Sequence, residues 1–372
     1  MSAIKIGFIG YGGSARFFHL PYILPNPDLE VYAFLQRSEA PSDPSVAKSG
    51  THCTINFPNA KHYQTAEDFF ADPAIELVIV CTHTGTHSEF AERALRAGKH
   101  VVVEKPFTTS SEEADRLIAI SKETGKLLTV FQNRRYDGDF MTLKHLLAKD
   151  ALGTITEAEI HYDFENPSWL HFMSAKKYTP GDGMMFGLGS HSIDQALSLF
   201  GKPKSVTAFL RDLRAADSEV EDTFTIILQY DSPLLVTIKT TITTCMEEQL
   251  HYLVRGTKGS YIKHGTDAQE AHSIAGMASD DPKFGVEDAS LHGLLTTYAE
   301  FDKSQSYDSE RKKYIGRYPT ITGRIRGYYE DLVDAIRGKA PLQVEAQQSR
   351  EGIRVMELAR KSHETGATVP WE

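Results

Sequence analysis

Cysteine is scarce in this chain. The 372 residues hold three, Cys53, Cys81 and Cys245, too scattered for a disulfide framework or for the paired spacing of a cysteine-built metal site. No metal is therefore expected. A basic excess is also missing. With 40 Lys and Arg against 50 Asp and Glu, the net charge of -10 argues against nucleic acid and anionic membrane surfaces as partners, since both select basic patches. No apolar run reaches the roughly 20 residues that a membrane-spanning helix needs. The chain passes from Ser2 straight into an apolar strand, with no basic segment and apolar leader before it, so a cytoplasmic location is expected. Repeats and low-complexity tracts are lacking too. What is present is 41% hydrophobic residues spread along the whole length, enough for packed cores. A chain of 372 residues calls for two domains rather than one.

Up to about residue 131 the sequence alternates between strand and helix signals. Ile4 to Ile9, Leu29 to Leu35, Leu77 to Cys81, His100 to Val103 and Leu127 to Phe131 are apolar runs rich in β-branched residues. The near-continuous ones read as parallel strands covered on both faces. Thr65 with Asp68, Thr86 with Glu89 and Ser110 with Glu113 match the capping box and predict helix starts. The alternation predicts an α/β domain over 1–131 with a doubly wound parallel sheet. From 132 to 372 the pattern changes. After a helix around Phe140 to Ala148, strand-like segments follow one another through tight turns such as Asp231-Ser232-Pro233. They cover Ile155 to Phe164, Val206 to Leu210, Thr223 to Tyr230, Leu234 to Thr243, Gln249 to Arg255 and Ser260 to Lys263. An α+β domain with an open-faced, mainly antiparallel sheet is expected there. Gly265 to Thr320 reads as a polar, irregular surface loop region with short helices, and Tyr328 to Arg337 and Arg350 to Lys361 as two closing helices.

Six segments carry candidate chemistry. Gly10-Tyr11-Gly12-Gly13-Ser14-Ala15 follows the first strand and opens a helix, as a dinucleotide-binding turn does. Gly10 allows the turn, Gly12 lets the backbone approach a pyrophosphate, and the helix start offers free N-H groups. The second strand ends in Gln36-Arg37-Ser38, without the carboxylate that binds an NAD ribose. Arg37 and Ser38 suit a 2′-phosphate, so NADP is expected, with NAD as the alternative. Glu104-Lys105-Pro106 follows an apolar strand, and the proline constrains the lysine's backbone toward an extended or cis geometry. Such an ammonium is aimed, and beside a nicotinamide it would make the chain an oxidoreductase. Gly189-Ser190-His191 leads into a helix carrying Asp194, one turn on. His191 could relay a proton to an alcohol oxygen, or could simply bond local backbone. Thr82, His83 and His87 lie just past the strand Leu77 to Cys81, where they would line the cofactor. A metal at His83 and His87 lacks a third ligand at suitable spacing. Asn133-Arg134-Arg135-Tyr136 offers donors and a ring for a hydroxylated substrate, or domain-boundary ion pairs.

Taken together these residues resemble the Gfo/Idh/MocA family of oxidoreductases. The carriers are Gly10 to Gly13, Ala97 to Pro106, and Gly189-Ser190-His191 through Asp194-Gln195. Asn133-Arg134-Arg135, Asp194 to Leu197 and Lys263 to Glu270 are similar to the scyllo-inositol dehydrogenase (NADP) branch. The resemblance implies a Rossmann domain, a second domain whose sheet joins homodimers or homotetramers, Lys105 and His191 at the reacting carbon, and no metal. The chain departs from the pattern at Gly187, where the family commonly has Asp, and at His83 in place of a usual proline. The stretch Glu165 to Tyr178, with Trp169, His171, Phe172 and Met173, is aromatic rather than arginine-rich.

The expected activity is therefore an NADP-preferring dehydrogenase or reductase acting on a secondary alcohol/ketone pair of a sugar, polyol or similar small carbonyl compound. Lys105 and His191 are the expected catalytic pair, and Glu104 joins the cofactor residues. Asn133, Arg135, Tyr136, Trp169 and Asp194 would hold the substrate. A non-catalytic NADP-binding regulator and a redox-neutral glycoside-cleaving enzyme are the rivals on the same fold.

Overall fold

The computed structural model describes residues 2–43, 46–168, 170, 176–214 and 217–372. It divides into two units, described in turn. Unit 1 comprises Met1–Asn133, Glu270–Phe284 and Ile325–Arg350; unit 2 comprises Arg134–Gln269, Gly285–Arg324 and Glu351–Glu372. Unit 1 thus takes in two late segments as well as the N-terminal one.

Unit 1 is built on a six-stranded parallel sheet of β1 (Ile4–Ile9), β2 (Leu29–Leu35), β3 (Lys61–Tyr63), β4 (Leu77–Val80), β5 (His100–Val103) and β6 (Leu128–Val130). The order is β3-β2-β1-β4-β5-β6. Every side chain of β4 is buried, and so are Val101, Val102 and Val103 of β5, because helices cover both faces. Each such Val, Leu or Ile contributes roughly 1.5–3 kcal/mol relative to exposure. The chain's direction of progress reverses between β1 and β4, which opens a crevice at the carboxyl ends of these strands.

Two of the three expected helix caps form. The Thr65 hydroxyl accepts from the Asp68 N-H at 3.2 Å. That of Ser110 accepts from the Glu113 N-H at 3.2 Å, and the helix Ser111–Thr124 ends on Gly125 at φ 67°. At Thr86 no side-chain cap forms. A tight turn over Thr84–Thr86 puts this residue in helical backbone, and its hydroxyl bonds back to Thr82 and His83.

Unit 2 holds a ten-stranded sheet: β7 (Ile155–His161), β8 (Ser205–Arg211), β9 (Thr223–Gln229), β10 (Leu235–Thr240), β11 (Leu250–Gly256), β12 (Gly259–His264), β13 (Leu294–Thr297), β14 (Ser306–Asp308), β15 (Lys313–Arg317) and β16 (Val369–Pro370). Its order is β14-β15-β13-β12-β11-β7-β10-β9-β8-β16, antiparallel apart from the β7–β10 pair. Three of these strands, β13 to β15, lie in the stretch expected to be irregular. Along β8 to β10 burial alternates with period two. Val206, Ala208, Ile226, Leu228, Val236 and Ile238 are buried, and the helix Gly189–Phe200 packs on β7 and β10. The opposite face, with Phe209 and Leu235, stays open. The two closing helices span Gly327–Ile336 in unit 1 and Ala346–Thr365. Among the described residues, no helix is long and apolar enough to cross a membrane.

Candidate functional site

In unit 1 a cavity of about 630 Å³ opens at the ends of β1, β2 and β4. Its walls include Gly10, Gln36, Arg37, Ser38, Thr82 and His83, all but Gln36 among the expected cofactor residues. Gly10 sits at φ 95°, and a Cβ there would fall 2.8 Å from the Cys81 carbonyl, so only glycine fits. A Cβ on Gly12 would meet nothing within 4 Å, leaving the backbone open to a close-approaching group. Both features suit a dinucleotide phosphate, and the volume suits a nucleoside. Tyr11, Gly13, Ser14 and Ala15 lie along the turn and the first turn of the helix after it.

His87 is placed differently. It is buried below the strand-end loops, its Nδ1 2.9 Å from the Pro106 carbonyl and its Nε2 3.0 Å from that of Thr82. Burial pulls its pKa down, against the pull of those carbonyls, so the ring is neutral. A neutral imidazole has one N-H, so only one of the two contacts is a hydrogen bond. His87 braces the loops that carry Thr82 and Lys105 and is absent from the cavity wall.

Glu104 organises the rest of unit 1's site. Its Oε2 accepts the Lys105 backbone N-H at 2.8 Å, and its Oε1 meets the Ser14 hydroxyl and, at 2.9 Å, His19 Nε2. The other nitrogen of His19 meets the Tyr329 hydroxyl. Burial pushes the Glu104 carboxyl up, but the hydrogen bond and charge of His19, the charge of Lys105 and the Ser14 hydroxyl outweigh it and hold the pKa at about 2. One ionised carboxylate therefore fixes the glycine-rich turn to the backbone of Lys105. The Lys105–Pro106 bond is cis, and Lys105 is half-buried. His19 and Tyr329 belong to this cluster although the sequence pattern gave them no role. Their one signal was polarity at positions otherwise occupied by core residues.

In unit 2, His191 enters the helix Gly189–Phe200 with its backbone N-H on the Leu188 carbonyl at 3.0 Å. Its ring meets that of Tyr162 edge-on, centroids 6.2 Å apart at 77°. It is buried, as is Asp194 on the same helix. Arg135 clasps Asp194 through two bonds, Nε to Oδ2 at 2.7 Å and Nη2 to Oδ1 at 2.6 Å. Both oxygens of Asp194 are thus engaged by Arg135, which casts the acid as a holder of that guanidinium. Tyr136 is half-buried, its carbonyl accepting from the Arg324 N-H at 2.8 Å. Asn133 is buried and ends the first segment of unit 1. Trp169 lies outside the described residues, as do His171, Phe172 and Met173.

Asp163 and Asp182, two carboxylates elsewhere in unit 2 that could stand in for the Asp missing at Gly187, have other partners. Asp163 accepts the Thr241 N-H at 2.8 Å and lies 3.3 Å from His161 Nδ1. Asp182 accepts the Thr179 N-H at 3.1 Å and meets its hydroxyl.

Residues 4–132 match the model of an oxidoreductase family with an NAD-binding Rossmann fold, and residues 140–262 that of a GFO/IDH/MocA C-terminal domain. The chain is 35% identical over 355 residues to the uncharacterised oxidoreductase YhhX of Escherichia coli, covering 95% of each. It is 33% identical to scyllo-inositol 2-dehydrogenase (NADP(+)) IolW of Bacillus subtilis, covering 100% of this chain and 97% of the relative. In structure it resembles an oxidoreductase from Bacillus cereus with a TM-score of 0.85 at 28% identity, covering 100% of this chain and 99% of the other.

Proposed function

The chain belongs to the Gfo/Idh/MocA oxidoreductase family, and from that premise we propose that it is an NADP-preferring dehydrogenase or reductase of a secondary alcohol/ketone pair in a sugar or polyol. Gly10 to Ala15 would hold the pyrophosphate, with Thr82 and His83 beside the nucleotide and Arg37 and Ser38 on a 2′-phosphate. The bound nicotinamide supplies the hydride chemistry. Lys105 polarises the substrate oxygen, and a positioned charge of this kind lowers a barrier by about 3–4 kcal/mol. His191 gives or takes the proton of that oxygen. Asn133, Arg135 and Tyr136 contact the substrate's hydroxyls, and Asp194 keeps Arg135 in place.

The observation that carries this reading is the Glu104 carboxylate, which bonds both Ser14 of the glycine-rich turn and the backbone of Lys105. It ties the lysine to the phosphate turn, as hydride transfer beside a bound dinucleotide demands. The preference for NADP draws on the cavity wall at Gln36, Arg37 and Ser38, which offers a guanidinium and a hydroxyl where an NAD site has a carboxylate. Self-association is assigned to the open face of β8 to β10.

Lys105→Met tests the reading. Turnover of NADPH with a panel of keto-sugars and inosose-type ketones is expected to fall by on the order of 10²–10³, while NADPH still binds. Undiminished turnover removes Lys105 from the mechanism. Nucleotide binding with no turnover in the parent protein over the whole panel would instead fit a regulator.

A further inference from the structure

Cysteine spacing along the chain predicts no metal, yet the fold of unit 1 brings one cysteine between two histidines. His52 and Cys53 open the short helix Cys53–Asn56, and His62 is the middle residue of β3. One ring nitrogen of each histidine and the Cys53 Sγ all lie within 4.8 Å of one another. We propose that His52, Cys53 and His62 form a binding site for a thiophilic divalent cation of the zinc class, with a fourth position left to water.

The donor set is the first argument. A thiolate and two imidazoles suit zinc, which takes sulfur at about 2.3 Å and nitrogen at about 2.0–2.1 Å in tetrahedral array. Those lengths put neighbouring donor atoms roughly 3.5 Å apart. Cys53 Sγ and His52 Nδ1 are already 4.0 Å apart, so small side-chain rotations close the site.

The outer shell is the second. His52 Nε2 lies 3.2 Å from the Ser38 carbonyl, and His62 Nε2 lies 2.8 Å from that of Gln36. A carbonyl only accepts, so each Nε2 carries the proton and each Nδ1 keeps a lone pair. Metal-binding histidines are oriented by this same arrangement, one nitrogen on the ion and the other N-H on a backbone carbonyl. The rings stand perpendicular, 86° apart with centroids at 4.6 Å, so their lone pairs can converge without stacking.

The surroundings are the third. His52 and Cys53 are buried and His62 is half-buried, which leaves an entry path on one side. The Gln36 side chain closes the other, accepting from the Cys53 N-H at 2.9 Å and donating to the Thr51 carbonyl at 3.3 Å. The ion displaces two contacts of His52 Nδ1, which accepts from the Thr54 hydroxyl at 2.8 Å and from the Thr54 N-H of the helix cap at 3.3 Å.

Full-length protein, stripped with a chelator and free of nucleotide, is titrated with Co²⁺ alone and then with Zn²⁺ alone. The expected result is one Co²⁺ per chain, with a thiolate-to-cobalt charge-transfer band and the strong visible bands of a four-coordinate ion, displaced by equimolar Zn²⁺. Cys53→Ser abolishes the charge-transfer band. His62→Gln weakens Co²⁺ binding by on the order of tenfold or more. Cys245→Ser, which alters the exposed thiol, changes neither. Circular dichroism without metal checks that each variant folds, and the half-buried His62 carries the test if Cys53→Ser does not. A missing charge-transfer band, or one that survives Cys53→Ser, or binding indifferent to His62→Gln, overturns the site. The readout needs neither nucleotide nor turnover, so it stands or falls apart from the dehydrogenase reading.

Discussion

Replacing Glu104 by glutamine removes one charge from a buried cluster, and its consequence can be worked through. In the folded chain the carboxyl pKa lies at about 2 rather than the ordinary 4.5. Burial opposes this, so the hydrogen bond and charge of His19, with Lys105 and Ser14, supply the whole effect and more. The difference of about 2.5 pH units, at 1.36 kcal/mol each, amounts to roughly 3 kcal/mol in favour of the ionised native state. Because the folded pKa is depressed, this stabilisation is complete above pH 4.5 and is lost as pH falls from 4.5 toward 2. Glutamine fills the same space but never ionises.

Glu104→Gln is therefore expected to lower the unfolding free energy at pH 7 by about 3 kcal/mol, in line with the cost of breaking a buried ion pair. It should also flatten the acid limb of the stability profile between pH 4.5 and 2. Urea unfolding followed by circular dichroism at pH 7, 5, 4 and 3 reads both, with an unchanged denaturant slope as the check that the same surface unfolds. Parallel loss of stability by parent and variant between pH 4.5 and 2 would refute the ionised carboxylate as the hub of unit 1.

Three further outcomes follow from the same structure. His191→Asn should lower kcat by about 10²–10⁴ with NADPH affinity kept, as steady-state kinetics and fluorescence titration would show. Arg37→Ala should weaken NADPH binding by about 1.5–3 kcal/mol, the worth of a hydrogen bond to a charged group, and leave NADH binding unmoved in calorimetry. Asp139→Asn acts with the opposite sign to Glu104. Burial, against the pull of Lys263, raises the Asp139 carboxyl to about 6, so its contribution is complete below about pH 4 and lost as pH rises through 6. The variant's stability should stay level across that window where the parent's declines, read by thermal unfolding.

Some of this was legible in the sequence because the cause is local. Leu77–Val80 and His100–Val103 read as covered strands because a strand buried on both faces has no place for polar alternation. The Gly10 turn was legible for a similar reason, since a positive φ against the Cys81 carbonyl leaves glycine as the only choice. The strands β13 to β15 were not. Leu294–Thr297, Ser306–Asp308 and Lys313–Arg317 are short, sit at one end of the sheet, and take their conformation from pairing rather than from composition. The capping-box pattern at Thr86 misled because the turn before it engages the hydroxyl first.

The site divides along the same line. An acid beside a lysine at a strand end is visible in the chain. Its ionisation is not, because His19 lies 85 residues from Glu104, and Tyr329, which holds the far side of that imidazole, lies 310 residues beyond it. Asp194 shows the same limit: spacing sets it one helical turn past His191, but the guanidinium that occupies both its oxygens comes from Arg135, 59 residues earlier. Residue type and backbone geometry name the groups able to do chemistry. Which are charged, and which are already committed to a partner, is decided by contacts that only the fold creates.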